Sequence, residues 1–541
     1  MPRHRERDRL STGDALFLYL ERDGMPLNVA SISIFEGVIS LAACRRFIES
    51  KLPLIPRYRQ HVMPSPFNLG LPSWEYDSNF DIRNHVHEVV LENGTASDLQ
   101  TVAGQILSQV MDRRRPLWDF TLVRGLKGDR TGLITRVHHC LADGLAGVSL
   151  MNVLMDHNQE NQDYPAGKTR LPKRPPKGSP NLLDEVITSS VSVAEKVLSA
   201  QIELCNVVQQ VFGAPSQNGN GSVAVAQAAA NSEVHTSPMN DFAKFMPELT
   251  SATQPLPFNI ICRGPQKFRW TEIPLAEIKA VKDKCGVTVN DVALTIVASA
   301  IQRYVESRGV KVRGRLLRIV MPVNVRGNGN VRDLGNRLTF VPITLPLDIH
   351  SPRKLLAAIH ERTTFLKHAH IGECVGLAGT MLGTIPAAVQ ELVGPIVSQV
   401  PLGLCNIIFT NVPGPTSPLY LIGHKMLSCY PYVPIGGDLG INCAVLTYTG
   451  TAYFGFSGNA QAAPNLGRLP RFLTRSFAEL KKAVRIRPQR PSRKTVEPRP
   501  SAAAPKHVQT IAEPPTRIPA QPIPITPPTD QKENEPLPVG A

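Results

Sequence analysis

Arg136-Val137-His138-His139-Cys140-Leu141-Ala142-Asp143-Gly144 sets two histidines against an acid and a glycine where one hydrophobic period gives way to another. Ahead of it, Gly132-Leu133-Ile134-Thr135-Arg136-Val137 is β-branched and apolar enough for a buried strand. Behind it, Leu145, Val148, Met151, Leu154 and Met155 recur at helical spacing. The motif therefore occupies a short strand-to-helix loop. Adjacent strand residues point to opposite faces, so His138 and His139 cannot serve one pocket equally. One is expected to do chemistry and the other to support it.

Histidine suits a reaction that moves one proton near neutral pH, because an imidazole with a pKa near 6.5 can accept a proton and return it. Asp143 has three readings: it orients an imidazole, caps the following helix, or pairs with a distant arginine. Gly144 permits a tight reversal. An isolated His-His pair is more often core or metal-seeking. With four fixed positions, however, HHxxxDG is expected by chance on the order of once in a thousand chains of this composition, so coincidence explains it poorly.

A chain of 541 residues is too long for one ordinary core and suggests two domains with extra segments. Its 42% hydrophobic and 19% charged residues fit a globular protein, and a net charge of +15 favours anionic partners such as phosphorylated molecules or acidic lipids. Nucleic acid is the weaker partner, since no zinc-finger or basic-zipper pattern accompanies the charge. The nine cysteines are scattered, odd in number and without CxxC spacing, so neither a metal site nor a disulfide framework is expected. They fit a reducing compartment. Cys140 reads as core packing, because it has no orienting partner apart from its own neighbour His139. The charged start Met1-Pro2-Arg3-His4-Arg5 lacks the apolar run of a secretory signal. No uninterrupted run of about 20 apolar residues appears either, the best stretch, 381–409, being broken by Glu391 and three prolines. Cytoplasmic residence with at most peripheral membrane attachment is the expectation.

Along the chain, 10–18 reads as a helix and Val29-Ala30-Ser31-Ile32-Ser33-Ile34-Phe35 as a strand. Pro56-Arg57-Tyr58-Arg59-Gln60, Trp74, Phe80-Asp81 and His85-Val86 follow, then an amphipathic helix over 99–110 and Asp112-Arg113-Arg114-Arg115-Pro116-Leu117-Trp118. Trp118 is a core anchor or a substrate contact. From 158 to 254 the composition becomes basic, proline-rich and loop-like around a helical run over 182–212. Its apolar face fits packing on a domain, with a bilayer as the second reading. In Val287-Thr288-Val289-Asn290-Asp291-Val292, Asn290 and Asp291 open a long helical pattern, where capping and function are both open. Ile319-Val320-Met321-Pro322-Val323-Asn324-Val325-Arg326 reads as a strand, and Leu334-Gly335-Asn336-Arg337 precedes another. Phe409-Thr410-Asn411-Val412-Pro413-Gly414-Pro415 makes a rigid turn. Strand patterns cover 430–448 and 452–456. Beyond Leu480 the chain is basic, and fourteen of its 48 prolines fall between 488 and 541, so this tail is expected to stay unfolded. A solvated linker is the common meaning of such a segment, and a contact with anionic lipid is the other.

HHxxxDG is the motif of the CoA-dependent acyltransferase superfamily, and the order of these segments resembles the bacterial wax ester synthase/acyl-CoA:diacylglycerol acyltransferase family over roughly residues 10 to 480. The resemblance implies an α/β fold of two chloramphenicol-acetyltransferase-like domains, each a mixed sheet flanked by helices, with a central tunnel at their interface. It places an N-terminal domain at 1–165, a crossover at 166–255, a C-terminal domain at 256–484 and a tail at 485–541. It further implies an O-acyltransferase that moves a long-chain acyl group from acyl-CoA to diacylglycerol or a long-chain alcohol at a membrane or lipid-inclusion surface. No metal or resident cofactor is expected, acyl-CoA being a substrate. His139 would act as general base with His138 in support, Asp143 would pair with Arg326, and Asn290 or Asn336 would steady the oxyanion. Arg113, Arg114 and Arg115 form a solvated face or attract CoA phosphates. Gly458-Asn459-Ala460 departs from the family, which often carries an acid there. A carrier-protein-dependent transferase and a non-catalytic lipid-binding protein of the same fold are the alternatives.

Overall fold

The structure, a computed structural model, describes residues 8–65, 70–141, 144–159, 253–324, 338–368 and 403–486. The helix expected over 182–212, the tail, and the residues Asp143, Arg326 and Asn336 lie outside the described residues.

Ser11 starts α1 (Thr12–Leu20) by accepting the Asp14 N–H, and the alternating run after it becomes β1 (Asn28–Glu36). Ser40 caps α2 (Leu41–Lys51), and β2 (Gln60–Met63) pairs with β3 (Ser73–Tyr76) as a separate ribbon. After β4 (Val86–Val90), α3 (Ala96–Leu107) opens with a reciprocal capping box between Thr95 and Asp98. The N-terminal half ends with β5 (Trp118–Leu126), β6 (Arg130–His138) and α4 (Gly144–Leu154).

The chain resumes with β7 (Gln266–Pro274) and α5 (Leu275–Cys285), which Gly286 ends in the left-handed region at φ 68°. A second capping box, Thr288 with Asp291, opens α6 (Val289–Glu306). Next come β8 (Leu316–Asn324), β9 (Leu338–Pro346), α7 (Pro352–His368) and β10 (Ile407–Pro413). The last elements are β11 (Tyr420–Leu421), β12 (His424–Tyr432), β13 (Ile441–Tyr448), β14 (Thr451–Asn459) and α8 (Arg468–Ala483).

Two six-stranded sheets result, in the orders β11-β12-β1-β6-β5-β4 and β7-β14-β13-β10-β8-β9. Both are mixed: β4 runs parallel to β5, and β10 runs parallel to β13 and β8, while the other neighbours are antiparallel. The α/β class with two helix-flanked mixed sheets is therefore what the chain adopts. The sheets do not follow the expected boundary at 256, because β11 and β12 belong to the C-terminal half of the sequence and complete the N-terminal sheet. Pro413 and Pro415 lack an N–H, so β10 cannot continue pairing beyond them. At Gly414 a Cβ would lie 2.3 Å from the Thr447 carbonyl oxygen, so the bend requires glycine. The chain then leaves the second sheet, and β12 joins β1 in the register Ala30 with Tyr432 and Ile34 with Ser428. Met1–Arg487 accordingly cluster as one compact unit.

The second sheet is covered by α6, packed against α5, α7 and α8. Because neighbours surround it, α6 is apolar on nearly all sides, with Val292, Leu294, Ile296, Val297, Ile301 and Tyr304 all buried. Among the described residues no single helix is long and apolar enough to cross a membrane; the α5–α6 pair reaches that composition only across a 104° bend, and α6 is core. On the first sheet, α3 covers the face of β6 that carries Gly132 and Arg136. The Arg136 guanidinium donates to the Ile106 and Gln109 carbonyls at the C-terminal end of α3, at 2.7 and 2.9 Å, and is neutralised by Asp119. The opposite face of β6 is thereby left to the space between the sheets.

Candidate active site

At the end of β6 the two histidines part. His138 pairs across the sheet with Asn28 and is fully buried. Its Nδ1 accepts the Cys140 N–H at 3.1 Å, which puts the proton of a neutral ring on Nε2. That nitrogen stands 3.4 Å from Glu21 Oε1, both side chains being wholly excluded from solvent. Glu21 Oε1 also accepts the Leu27 N–H at 3.0 Å, and Oε2 lies 3.2 Å from Arg113 Nη2, which donates as well to the Leu18 carbonyl at 2.6 Å. Burial pushes the Glu21 carboxyl up, but His138, the Leu27 N–H and Arg113 together outweigh it and hold the group below its ordinary value. Sequence reasoning missed Glu21: an acid followed by Arg22-Asp23 in a polar turn reads as surface.

His139 takes the other direction. Its N–H donates to the Leu27 carbonyl at 2.9 Å, and its ring lies flat on Phe17, with centroids 3.9 Å apart and planes 11° from parallel. Burial lowers its pKa to about 4, with its own backbone carbonyl opposing the fall and His138 adding to it. The imidazole is therefore neutral at pH 7 and carries an acceptor nitrogen. Cys140 is buried, and burial together with Asp14 and Glu21 pushes its thiol well up, so the thiolate a nucleophile needs is suppressed.

His139 stands on the wall of a cavity of about 270 Å³ between the two sheets. One side is built by Val29, Ser31 and Ser33 of β1 with Thr135 and Val137 of β6, and the other by Ile408, Thr410 and Val412 of β10 with Ala444 and Leu446 of β13. Phe17 and, from α4, Val148, Met151 and Leu154 close it further. The lining is overwhelmingly apolar, as befits a hydrocarbon ligand. Its few hydroxyls include Ser31 and Thr135, whose oxygens are 2.7 Å apart.

The other expected site residues are distributed as follows. Gly144 begins α4. Trp118 is 1% exposed, donates its indole N–H to the Tyr58 carbonyl at 2.7 Å and stacks on His85 at 4.5 Å, so it anchors the core and does not line the cavity. Asp291 is the α6 cap: its carboxylate takes the Thr288 N–H at 2.9 Å, the Thr363 hydroxyl at 2.7 Å and the His360 ring at 2.9 Å. Burial raises its pKa, and these bonds outweigh the rise. Asn290 is not among the residues that line this cavity. It contacts Met321 Sδ at 3.6 Å and accepts from Asn411 at 3.3 Å, and Asn411 points to the face of β10 opposite Thr410 and Val412. The arginine triplet is split. Arg113 turns in to Glu21, whereas Arg114 is 90% exposed and pairs with Asp112. Asn459, where the family often has an acid, donates to the Arg263 carbonyl at 2.8 Å, a bond that only the amide can make. Among the described residues no cluster of three or more His, Cys, Asp or Glu gathers as metal ligands.

Two mixed sheets enclose an apolar cavity with a histidine of the HHxxxDG motif on its wall, and the class these features belong to is given by the family models. A family model described as the wax ester synthase/diacylglycerol acyltransferase catalytic domain matches residues 10–293, and one for the C-terminal domain of the same family matches 334–481. The chain belongs to that family and is an acyltransferase. It is 25% identical over 486 residues to the probable diacylglycerol O-acyltransferase tgs1 of Mycobacterium tuberculosis, covering 87% of this chain and 96% of that one. To tgs2 of the same organism, also described as a probable diacylglycerol O-acyltransferase, it is 27% identical over 490 residues, covering 88% and 100%. Among solved structures, the wax ester synthase/diacylglycerol acyltransferase of Marinobacter aquaeolei VT8 shares the fold with a TM-score of 0.59 at 22% identity, over 88% of this chain and 100% of that one. The first condensation domain of the CDA synthetase does so with a TM-score of 0.52 at 14% identity, over 89% and 97%.

Proposed function

We propose that this chain moves a long-chain fatty acyl group from acyl-CoA to the hydroxyl of diacylglycerol, of a long-chain alcohol, or of both. The observation that carries the reading is the neutral His139 ring on the wall of an apolar cavity. His139 accepts the hydroxyl proton as the acceptor oxygen attacks the thioester carbonyl. The new C–O bond forms, the C–S bond breaks, and the imidazolium returns its proton to the departing CoA thiolate. Because burial disfavours the charged ring, the imidazolium is a ready proton donor. No acyl-enzyme is required, and the suppressed Cys140 thiolate offers none. His138, turned away from the cavity, supports the loop. Both acceptors are poorly soluble, so the reaction belongs at a membrane or lipid-inclusion surface.

Thiol release from palmitoyl-CoA, with hexadecanol or dioleoylglycerol added separately, tests this. Acceptor-dependent release is expected from the wild type and a loss of roughly 10²–10⁴-fold in His139→Ala. Near-wild-type turnover in that variant refutes His139 as the base, and no acceptor-dependent release from folded wild type refutes the activity.

A further inference from the structure

Helix α1 reaches both histidines. Phe17 lies on α1 and Glu21 is its C-cap: the Glu21 N–H still donates to the Phe17 carbonyl at 3.2 Å, while a ψ of 137° turns the chain out of the helix there. Phe17 lies under the His139 ring and Glu21 faces His138. The backbone closes a circuit between them. Glu21 Oε1 accepts the Leu27 N–H, the Leu27 carbonyl accepts the His139 N–H, the Cys140 N–H reaches His138 Nδ1, and His138 Nε2 stands 3.4 Å from the same Glu21 oxygen without the alignment of a hydrogen bond. Each of these groups is buried or nearly so, and the loss of one partner leaves another polar group unsatisfied. Arg113, from the segment before β5, supplies the charge that lets a carboxylate sit there.

We propose that Glu21 and Phe17 are positioning residues for the acyl transfer: Glu21 fixes the His138–Cys140 turn, and Phe17 fixes the plane of the His139 ring, so that the ring faces the cavity. This rests on His139 being the base. Neither residue touches the reacting atoms in this role. Each acts through a histidine, and a ring displaced by about 1 Å loses rate on the order of 10²-fold while binding is retained.

The test uses full-length protein labelled with ¹³C at histidine Cε1, the His139 signal being identified by its loss in His139→Ala. In the wild type that Cε1–H signal should lie upfield of ordinary histidines, shifted by the Phe17 ring. Glu21→Ala should move it downfield, and Glu21→Ala and Phe17→Leu should each lower kcat by roughly 10–10²-fold with KM changed less than about twofold; Phe17→Leu removes the shifting ring itself, so only its kinetics are read. Glu21→Gln, which keeps one acceptor oxygen for the Leu27 N–H and His138, should recover part of the loss. A purely structural role predicts a lower melting temperature with kcat unchanged in both variants and the His139 signal unchanged in Glu21→Ala, and that result overturns the proposal. Phe17→Leu adds no buried charge and decides the question if Glu21→Ala does not fold. The resonance is read without substrate, so failure of the wild type to turn over would count against the proposed activity and leave this test standing.

Discussion

Acidification from pH 7 to pH 5.5 is expected to leave kcat/KM for acyl transfer almost unchanged. The base that acts in the free enzyme sets the acid limb of kcat/KM. A histidine with the ordinary pKa of about 6.5 would go from about three-quarters neutral at pH 7 to about one-tenth at pH 5.5, and the rate would fall about eightfold. Burial lowers His139 to about 4, which leaves more than about 95% of it neutral at the same pH. The limb should therefore appear near pH 4. Stability sets the working window. Between about 4 and 6.5 the unfolded chain binds a proton that the folded chain refuses, so the contribution of His139 to stability is complete above 6.5 and is lost as pH falls toward 4. Initial rates should be taken over short times from pH 5 to 8 at constant ionic strength, with a melting temperature at each pH. A palmitoyl-pantetheine thioester keeps the substrate uncharged, since phosphate groups titrate near 6. An acid limb with its midpoint near 6.5 while melting is unchanged would refute the buried, neutral base.

Trp118→Ala should cost about 3–5 kcal/mol in chemical denaturation, because it empties a fully buried site and strips the Tyr58 carbonyl of its donor; unchanged stability with a raised KM would make Trp118 a substrate contact. Ser31 pairs with Thr135, four residues before His139 on the same face and so ~13 Å along the strand, where Ser31→Phe would block the cavity. The ratio of kcat/KM for octanoyl over palmitoyl thioester, or for the corresponding alcohols, should rise roughly tenfold or more in that variant. An unchanged ratio for both substrates would mean that neither chain runs along β6.

The readable parts of this chain are those where a local pattern meets a local cause. Asn290 and Asp291 announced a helix start at α6, where Asp291 joins Thr288 in the capping box, and the period-2 run into His138-His139 announced that the two rings would diverge, as they do. Asn290 shows the limit. Its neighbour's cap was visible in sequence, but the side of β10 that Asn290 would meet depends on the packing of α6 across the whole second sheet. Glu21 shows a different limit. A buried carboxylate is tolerable only because Arg113, His138 and the Leu27 N–H converge on it from three segments, and no window of sequence contains all of them. The passage of β12 into the first sheet is hidden for the same reason. Its alternating pattern identifies a strand and carries no information about which sheet it joins.

That passage bears directly on the chemistry. Tyr432, Val433, Pro434 and Ile435, at and just beyond the end of β12, line the cavity, and β12 pairs with β1 along the row that carries Ala30 and Ser31. The wall facing His139 from the first sheet is thus completed by chain that is separated from the motif by nearly three hundred residues. A further tie lies where α3 meets β7: the Gln266 N–H donates to Ser108 at 2.8 Å, and the Tyr432 hydroxyl is bonded to the Gln266 side chain. At Gly104 a Cβ would stand 2.9 Å from the Gln266 carbonyl oxygen, so this close approach of helix and strand depends on glycine. The HHxxxDG loop contributes the base, but its cavity exists only when the C-terminal half has crossed over. Half-chains divided near residue 256 would each lack part of the wall, and the N-terminal half alone would expose the unpaired edge of β1.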